Sequence, residues 1–282
     1  MKNTARNVSV AVLALALSAS ATACAREAES TVASDCEPKH QFSTIEEGQL
    51  TVGITEIPPY SYTEDGQPAG ADVDIIKEFA AANCLEVKPV PLAYSAAVPS
   101  VQNNRIDLTV GDWYRTEARS EIVNLTAPIY LDEFGVISPD GITQVQDLAG
   151  KSVGTVDGYL WVEDLRTMLG GDLKVYPSSV ELKQDLESGR IDVGVDAYGT
   201  ALFNFPEDSG FKVTTVEPDP QVQATVEPAQ TGFPYTKDNA ELGEALDTTI
   251  EEMRESGQLV EILEANGLPA SSAEVGEPRL IP

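Results

Sequence analysis

A nine-residue segment, 111–119, concentrates side chains that are suited to binding a small polar molecule. It reads GDWYRTEAR and contains an aspartate, two large aromatic rings and two arginines. It follows the apolar run 106–110, which predicts a buried strand. The segment should therefore form a loop at the carboxyl end of a strand, where open α/β sheets bind ligands. Such a composition favours contact with a ligand over packing in a core.

The rest of the chain supplies alternating strands and helices that would carry this loop. Alternating apolar residues predict a strand at 50–55, and residues 72–82 place apolar side chains on one helical face, with Asp72 as a candidate cap. A second copy of the pattern follows, and its third strand, 190–196, is similar in sequence to 105–112. The alternation predicts an α/β fold with two similar lobes. Further predicted elements are strands at 87–92, 151–156 and 173–176 and helices at 180–188, 240–256 and 259–265.

The amino terminus has the features of a secretory signal. Lys2 and Arg6 precede an apolar stretch that is too short to span a membrane, and small residues follow it. Cleavage before Cys24 would resemble the processing of bacterial lipoproteins, in which the new terminal cysteine receives the lipid. The alternative is an ordinary signal-peptidase site after Ala23. Residues 1–23 are thus a predicted signal peptide, and 24–40 a predicted tether.

The charge of the chain excludes some classes of partner. The formal net charge is −28, and it becomes −30 when residues 1–23, with two basic and no acidic residues, are removed. A chain this acidic is a poor match for nucleic acid or for an anionic membrane surface. We expect no cofactor and no metal site.

Two cysteines remain if Cys24 is lipidated, and we expect Cys36 and Cys84 to form a disulfide in an oxidising compartment. Two free thiols or a metal pair are the alternatives. They are less favoured because His40 is the only histidine in the chain.

Five motifs, taken together and in this order, resemble the extracellular solute-binding proteins of polar amino-acid ABC importers. The resemblance covers about residues 41–268. The motifs lie at 50–60, 70–74, 105–107, 115–119 and 126–130.

This resemblance implies a bilobal, type II periplasmic-binding-protein-like fold in which the chain crosses twice between lobes. The first lobe would be 41–130 completed by 230–268, and the second 131–229. Hinges would lie near 130–132 and 229–231, and 269–282 would be a loose tail.

The resemblance also implies roles for residues of the first lobe. Arg119 matches the arginine that pairs with the ligand α-carboxylate, which suits its planar guanidinium. Tyr60 and Tyr94 match aromatic positions that stack on the ligand, with a plain core tyrosine as the alternative for each. Tyr114 matches a serine that contacts the ligand, and Asp112 and Trp113 flank it.

The second lobe departs from the family pattern. Tyr159 and Leu160 stand where threonine or serine is usual, and Ala197 aligns with the aspartate that receives the α-ammonium. Asp196, one residue earlier, either replaces that aspartate or points into the sheet. Trp161 is either a further ligand contact or the first buried residue of its helix. These differences weaken the match to a standard α-amino acid ligand. Because Glu56, Asp112 and Asp196 outnumber Arg119 in the candidate site, a zwitterionic or cationic ligand fits better than a diacid.

The implied function is that of a monomeric, lipid-anchored protein on the extracellular face of the membrane. It would capture an amino acid or a related small molecule by closure of its lobes and deliver it to an ABC permease and ATPase. The same fold is used by enzymes, for example periplasmic dehydratases similar to cyclohexadienyl dehydratase. We expect no enzyme, because no acid–base pair has a diagnostic spacing. A ligand-sensing lipoprotein that acts on a membrane receptor is the third alternative.

Overall fold

The structure, a computed structural model, describes residue 32 and residues 35–282. The predicted signal peptide, the predicted lipidation site at Cys24 and much of the predicted tether lie outside the described residues. Within the described part of the chain, every helix is too short or too polar to cross a bilayer.

Strands and helices alternate through the chain as the sequence predicts. The strands are β1 Gln49–Ile54, β2 Tyr62–Glu64, β3 Gln67–Ala69, β4 Glu86–Pro91, β5 Leu108–Val110, β6 Asn124–Leu125, β7 Leu131–Asp132, β8 Phe134–Ser138, β9 Val153–Val156, β10 Leu173–Tyr176, β11 Val193–Ala197, β12 Lys212–Thr215, β13 Ala229–Gln230 and β14 Pro234–Tyr235. The α-helices are α1 Ala71–Ala82, α2 Tyr94–Gln102, α3 Glu117–Ser120, α4 Val162–Leu169, α5 Ser179–Glu187, α6 Tyr198–Asn204, α7 Gln223–Val226, α8 Ala240–Ser256 and α9 Gln258–Ala265. Short 3₁₀ helices lie at Val145–Leu148, Gly170–Asp172, Glu207–Ser209 and Ala270–Ala273.

The first lobe is built on a five-stranded sheet in the order β4-β1-β5-β14-β6. β1 is parallel to β4 and β5, whereas β14 runs antiparallel to β5 and β6. Strand β1 is buried along nearly its whole length, as expected for a parallel strand covered on both faces. The main core of this lobe joins β1 and β5 to the apolar faces of α1, α8 and α9.

The second lobe repeats the arrangement with the order β10-β9-β11-β8-β12. β9 is parallel to β10 and β11, and β8 is antiparallel to β11 and β12. Its apolar residues form two clusters, one of which includes Trp161 of the turn into α4. Two five-stranded α/β sheets in one chain confirm the bilobal fold class predicted from the sequence.

The chain passes between the two sheets at β7 and β13. These two short strands pair with each other as an antiparallel ribbon, with Ala229 opposite Asp132 and Gln230 opposite Leu131. Both hinge positions expected from the sequence lie in or beside this ribbon.

Cys36 and Cys84 form a disulfide, with Cα atoms 5.8 Å apart. The bond ties the segment before β1 to the residue that follows α1 by two positions. The predicted pairing is confirmed, and the alternatives of free thiols or a metal pair are excluded for these two residues.

The end of the chain differs from the loose tail expected from its composition. Ile281 accepts a hydrogen bond from the Glu117 N–H (2.8 Å) and donates one to the Arg115 carbonyl (2.8 Å). Upstream, the buried side-chain amide of Gln230 donates to the carbonyls of Val275 (2.7 Å) and Glu277 (2.8 Å). The tail is ordered because residues far away in the sequence form hydrogen bonds with its backbone groups. Such partners cannot be predicted from composition.

Candidate functional site

Asp72 fixes the loop that follows β5. Its Oδ2 accepts hydrogen bonds from the backbone N–H groups of Gly111 (2.9 Å) and Asp112 (3.0 Å), and its Oδ1 accepts one from the Tyr130 hydroxyl (2.8 Å). It therefore does not cap α1, because it lies inside the first turn and Gly70 occupies the cap position. Burial raises the pKa of Asp72 to about 6, although these hydrogen bonds lower it. The bonds hold Asp112 at a φ of 55°, an uncommon backbone conformation for a residue other than glycine.

Asp112 forms a buried carboxyl pair with Asp132 of β7. The two side chains are within hydrogen-bonding reach, and burial together with the Asp132 and Asp72 charges raises the pKa of Asp112 well above its usual value. Burial likewise raises the pKa of Asp132 to about 7. Only 7% of Asp112 is exposed, and its Oδ1 receives no hydrogen bond from an N–H or O–H group. One proton shared by the pair relieves the repulsion between two buried carboxylates.

Two tyrosines of the first lobe donate to Asp132. The Tyr60 hydroxyl lies 3.2 Å from Asp132 Oδ1, and the Tyr114 hydroxyl donates to Asp132 Oδ2. The Tyr60 ring stacks on Tyr130, with 5.2 Å between centroids and 5° between planes. Tyr60 is almost fully buried, so its aromatic face is already used within the protein. The structure thus brings together Tyr60, Asp112 and Tyr114, around an aspartate that sequence reasoning did not assign to the site.

Arg119 belongs to a second group of side chains, with Trp113 and Tyr94. The Tyr94 ring stacks on the indole of Trp113 at a centroid distance of 3.9 Å, and the Arg119 guanidinium lies 4.9 Å from the Trp113 ring centroid. The guanidinium also donates to the Tyr114 carbonyl. Thr116 caps α3 by accepting from the Arg119 N–H (3.1 Å), which sets the position of the arginine backbone.

The guanidinium of Arg119 is available for an anion. Among the described residues, the ion pairs formed by arginine and lysine do not include Arg119. It borders an open cavity of about 350 Å³ that Tyr94 and Trp113 also line. Tyr94 is 43% exposed, whereas Trp113 is buried and its indole N–H has no hydrogen-bond partner in the part of the chain that the structure describes.

The second lobe contributes Asp196 and Tyr159. Asp196 is the second-last residue of β11 and is fully buried, and its Oδ1 accepts from the Tyr159 hydroxyl (3.0 Å) and from the Ala197 N–H (2.9 Å). Its Oδ2 makes no hydrogen bond at normal distance. Burial raises the pKa of Asp196 to about 6, against a smaller lowering by the Ser179 hydroxyl. The Asp196 charge also acts on Asp132, so Asp196 lies near the carboxyl of the crossover strand β7.

Trp161 lies in the core of the second lobe. It is 1% exposed, its indole N–H donates to Thr155 Oγ1 (2.8 Å), and its ring packs edge-on against Phe134. In this arrangement it has no surface left for a ligand, because its ring and its polar atom both have partners inside the lobe. Tyr159 packs against the ring of Trp161 and separates it from Asp196.

The centre of the site is acidic and contains no ion pair. Within residues 35–282, none of the salt bridges involves Asp112, Asp132 or Asp196. The same part of the chain has no cluster of three or more histidine, cysteine or acidic residues in an arrangement that could hold a metal ion. Buried carboxylates that have no cationic partner within the described residues are suited to an organic cation.

Comparisons with known proteins show which characterised proteins this chain is similar to. The arginine-binding extracellular protein ArtP of Bacillus subtilis (strain 168) is 24% identical over 233 residues, which are 79% of this chain and 88% of that protein. An L-arginine-binding protein of Pseudomonas aeruginosa is 27% identical over 224 residues, or 76% and 85% of the two chains. A solved ancestral arginine-binding protein bound to arginine superposes with a TM-score of 0.62 at 26% identity, covering 77% of this chain and 97% of that one.

The family model of the bacterial extracellular solute-binding proteins, family 3, matches residues 50–267. The match includes both sheets, the crossover ribbon and all the candidate side chains described above. It confirms the resemblance found in the sequence. The chain belongs to the bacterial extracellular solute-binding proteins of family 3.

Proposed function

We propose that this protein is the substrate-binding component of an ABC importer and that it captures an amino acid or a related zwitterionic or cationic solute. The observation that carries the proposal is the family match over residues 50–267. Named relatives bind arginine. A site with one guanidinium and several carboxylates, none of which forms an ion pair among the described residues, is complementary to a zwitterion with an excess of positive charge.

In this proposal, Arg119 clamps the ligand α-carboxylate. Its guanidinium would exchange the Tyr114 carbonyl for two parallel charged hydrogen bonds to the ligand, each contributing about 1.5–3 kcal/mol. The guanidinium lies over the indole ring of Trp113, and Tyr94 stacks on that indole, so the two rings provide aromatic surface beside the arginine. From the other lobe, Tyr159 and Asp196 would complete the site on closure.

The lobes would close about the ribbon formed by β7 and β13. The proposed division is 41–130 with 230–268 for one lobe and 131–229 for the other. A two-residue ribbon is a narrow connection between two separate cores, and a few residues at such a junction suffice to absorb a domain rotation. The closed form would dock on the permease and ATPase.

The same proposal includes the location and the assembly. Residues 1–23 would direct export, Cys24 would carry the lipid, and residues 24–40 would tether the binding unit at the outer face of the membrane. The protein would act as a monomer. Mass spectrometry of the membrane-bound protein tests the anchor, because a diacylglycerol-modified Cys24 has a diagnostic mass and Cys24→Ala should release the protein to the medium.

The direct test of binding is a thermal-shift screen of residues 36–282 against the twenty L-amino acids, agmatine, putrescine and a set of small sugars. A ligand at a hundredfold its dissociation constant stabilises the folded state by about 2.7 kcal/mol, which is readily detected. We expect at least one amino acid to raise the melting temperature. Stabilisation by a sugar alone, with none by any amine or amino acid, would contradict the proposal.

A further inference from the structure

We infer that Asp132, together with Asp112, forms the site that receives the positively charged group of the ligand. This inference rests on the proposed function and assigns a binding residue from the crossover strand β7. It places the cation-binding carboxylates on the first lobe and the hinge. In the second lobe, β11 has Ala197 at the position of the usual ammonium-binding aspartate, with Asp196 next to it.

The geometry of the crossover ribbon supports this inference. Asp132 lies in the ribbon that connects the lobes, 97% buried, and points at residues of the first lobe: the hydroxyls of Tyr60 and Tyr114 donate to its two oxygens. The Asp112 carboxyl meets it from the β5 loop. Since Asp112 Oδ1 is buried and accepts no hydrogen bond from the described residues, the pair has an unused acceptor. A buried polar atom without a partner destabilises the protein unless a ligand or water supplies one.

The charge around the Asp112–Asp132 pair also supports it. Each member of the pair is surrounded almost entirely by other acids and by neutral hydroxyls. Arg119 is the cationic side chain that acts on Asp112, and it does so less strongly than burial and the neighbouring aspartates. The groups facing Asp112 are Asp72, Asp132, Arg119, Tyr60, Tyr94, Tyr114 and Tyr130, and those facing Asp132 are Asp112, Asp196, Tyr60, Tyr94, Tyr114 and Tyr159.

An organic cation suits the Asp112–Asp132 pair better than a metal ion does. An ammonium or guanidinium group can donate to Asp112 Oδ1 and to Asp132 at once, and it removes the need for the proton that the pair shares without a ligand. A metal ion would need more oxygen ligands in a regular arrangement, and the part of the chain described contains no such cluster. With Arg119 nearby for a carboxylate, the site has the two poles that an amino acid requires.

The arrangement has a measurable consequence, which is proton release on binding. In the ligand-free protein, the raised pKa values of both carboxyls keep one proton on the pair near pH 7. A bound cation favours ionisation of both groups. About one proton per ligand should therefore leave the protein at pH 7.

The experiment is isothermal titration calorimetry at pH 7 in phosphate and in Tris, because the difference in enthalpy between buffers counts the protons released. The probe is whichever of L-arginine, L-lysine, L-histidine and L-glutamine gives the largest thermal shift with the wild type. The variants are Asp132→Asn and Asp112→Asn. The control is Asp247→Asn, which alters a partly buried carboxyl of α8 that binds the Ala127 N–H and has a pKa raised by burial, outside the site.

We expect Asp132→Asn and Asp112→Asn each to weaken binding by about 10- to 100-fold and to abolish proton release, with Asp247→Asn unchanged in both. Melting temperatures of the ligand-free variants at or above that of the wild type at pH 8 would show that both are folded. Wild-type affinity in Asp132→Asn, or binding without proton release in the wild type, would overturn the inference while leaving the proposed function intact. If none of the four amino acids binds the wild type, this inference is overturned, whereas the proposed function is decided by the wider thermal-shift screen.

Discussion

The buried carboxyl of Asp196 should make the stability of the ligand-free protein depend on pH in a predictable direction. Its pKa is about 6 in the folded protein and about 3.8 when unfolded. Because the folded-state pKa is raised, the stabilising contribution is complete below the unfolded pKa and is lost as the pH rises through 6. The replacement Asp196→Asn removes this effect, yet its amide oxygen can still accept the hydrogen bonds from Tyr159 and Ala197.

The magnitude follows from the size of the pKa shift. A shift of about two units corresponds to about 3 kcal/mol in total, of which about 2 kcal/mol falls between pH 4.5 and pH 7.5. We therefore expect Asp196→Asn to stabilise the protein by about 2 kcal/mol more at pH 7.5 than at pH 4.5. Comparison with the wild type at each pH cancels the contributions of the raised carboxyls that do not interact with Asp196; Asp132, on which the Asp196 charge acts, is the exception.

The assay is urea unfolding followed by tryptophan fluorescence at both pH values, with ΔG taken by linear extrapolation. Asp185→Asn is the control, because hydrogen bonds from Lys174 and Tyr176 lower the pKa of Asp185 and stabilise its charged form. That stabilisation is nearly complete above the unfolded pKa of about 3.8, so Asp185→Asn should be destabilised by nearly the same amount at pH 4.5 and pH 7.5. An effect of Asp196→Asn that is equal at pH 4.5 and pH 7.5 would refute the assignment of a raised pKa.

Three further changes test the framework around the site. Cys36→Ser should lower the free energy of unfolding by about 4 kcal/mol in the chain-entropy model for a 48-residue separation. Reductant should lower the free energy of unfolding of the wild type to the same value. A reductant effect of equal size on both proteins would contradict this prediction. Deletion of residues 275–282 should cost about 2 kcal/mol, because the buried Gln230 amide loses its carbonyl partners; unchanged urea unfolding would show that the tail is not held. Gly111→Ala should destabilise by more than about 2 kcal/mol, because its φ is 131° and a new Cβ would lie 1.8 Å from Thr55 Oγ1; wild-type stability would mean that the loop can move.

The sequence was sufficient for the elements whose periodicity is local. The strand at 50–55 and the helix at 240–256 are found as Gln49–Ile54 and Ala240–Ser256, because their apolar residues recur at the spacing that burial on one or two faces demands. The short strands β2, β3, β6 and β14 were not predicted. Each is two or three residues long, and its pairing depends on partners far away in the chain.

The candidate site was predictable only in part. The loop 111–119 stood out because its residue types are unsuited to a core, and the structure does place it at the end of β5. Trp161 shows the limit of that reasoning, since a tryptophan at a strand end is equally suited to a ligand and to the core, where it lies. Its helical spacing to Leu165 was the signal for burial.

Asp132 was missed as a site residue for a physical reason. Its neighbours in sequence are apolar or acidic, and nothing local indicates that Tyr60, Asp112 and Tyr114 converge on it. The one available signal was its position in the expected hinge, where an aspartate must lie close to both lobes. Asp72 was misread in the same way, because a carboxylate in the first turn of a helix favours capping on local grounds and the distant N–H groups of Gly111 and Asp112 override it.

The most direct test of the account is calorimetric titration of an amino acid that stabilises the wild type into three proteins: the wild type, Arg119→Ala, and Arg166→Ala as a control arginine on the surface of α4. Two charged hydrogen bonds of about 1.5–3 kcal/mol each predict at least a hundredfold loss of affinity in Arg119→Ala. The melting temperature should change little and Arg166→Ala should bind as the wild type does. Equal affinity in Arg119→Ala and the wild type would contradict the central claim that Arg119 holds the ligand carboxylate.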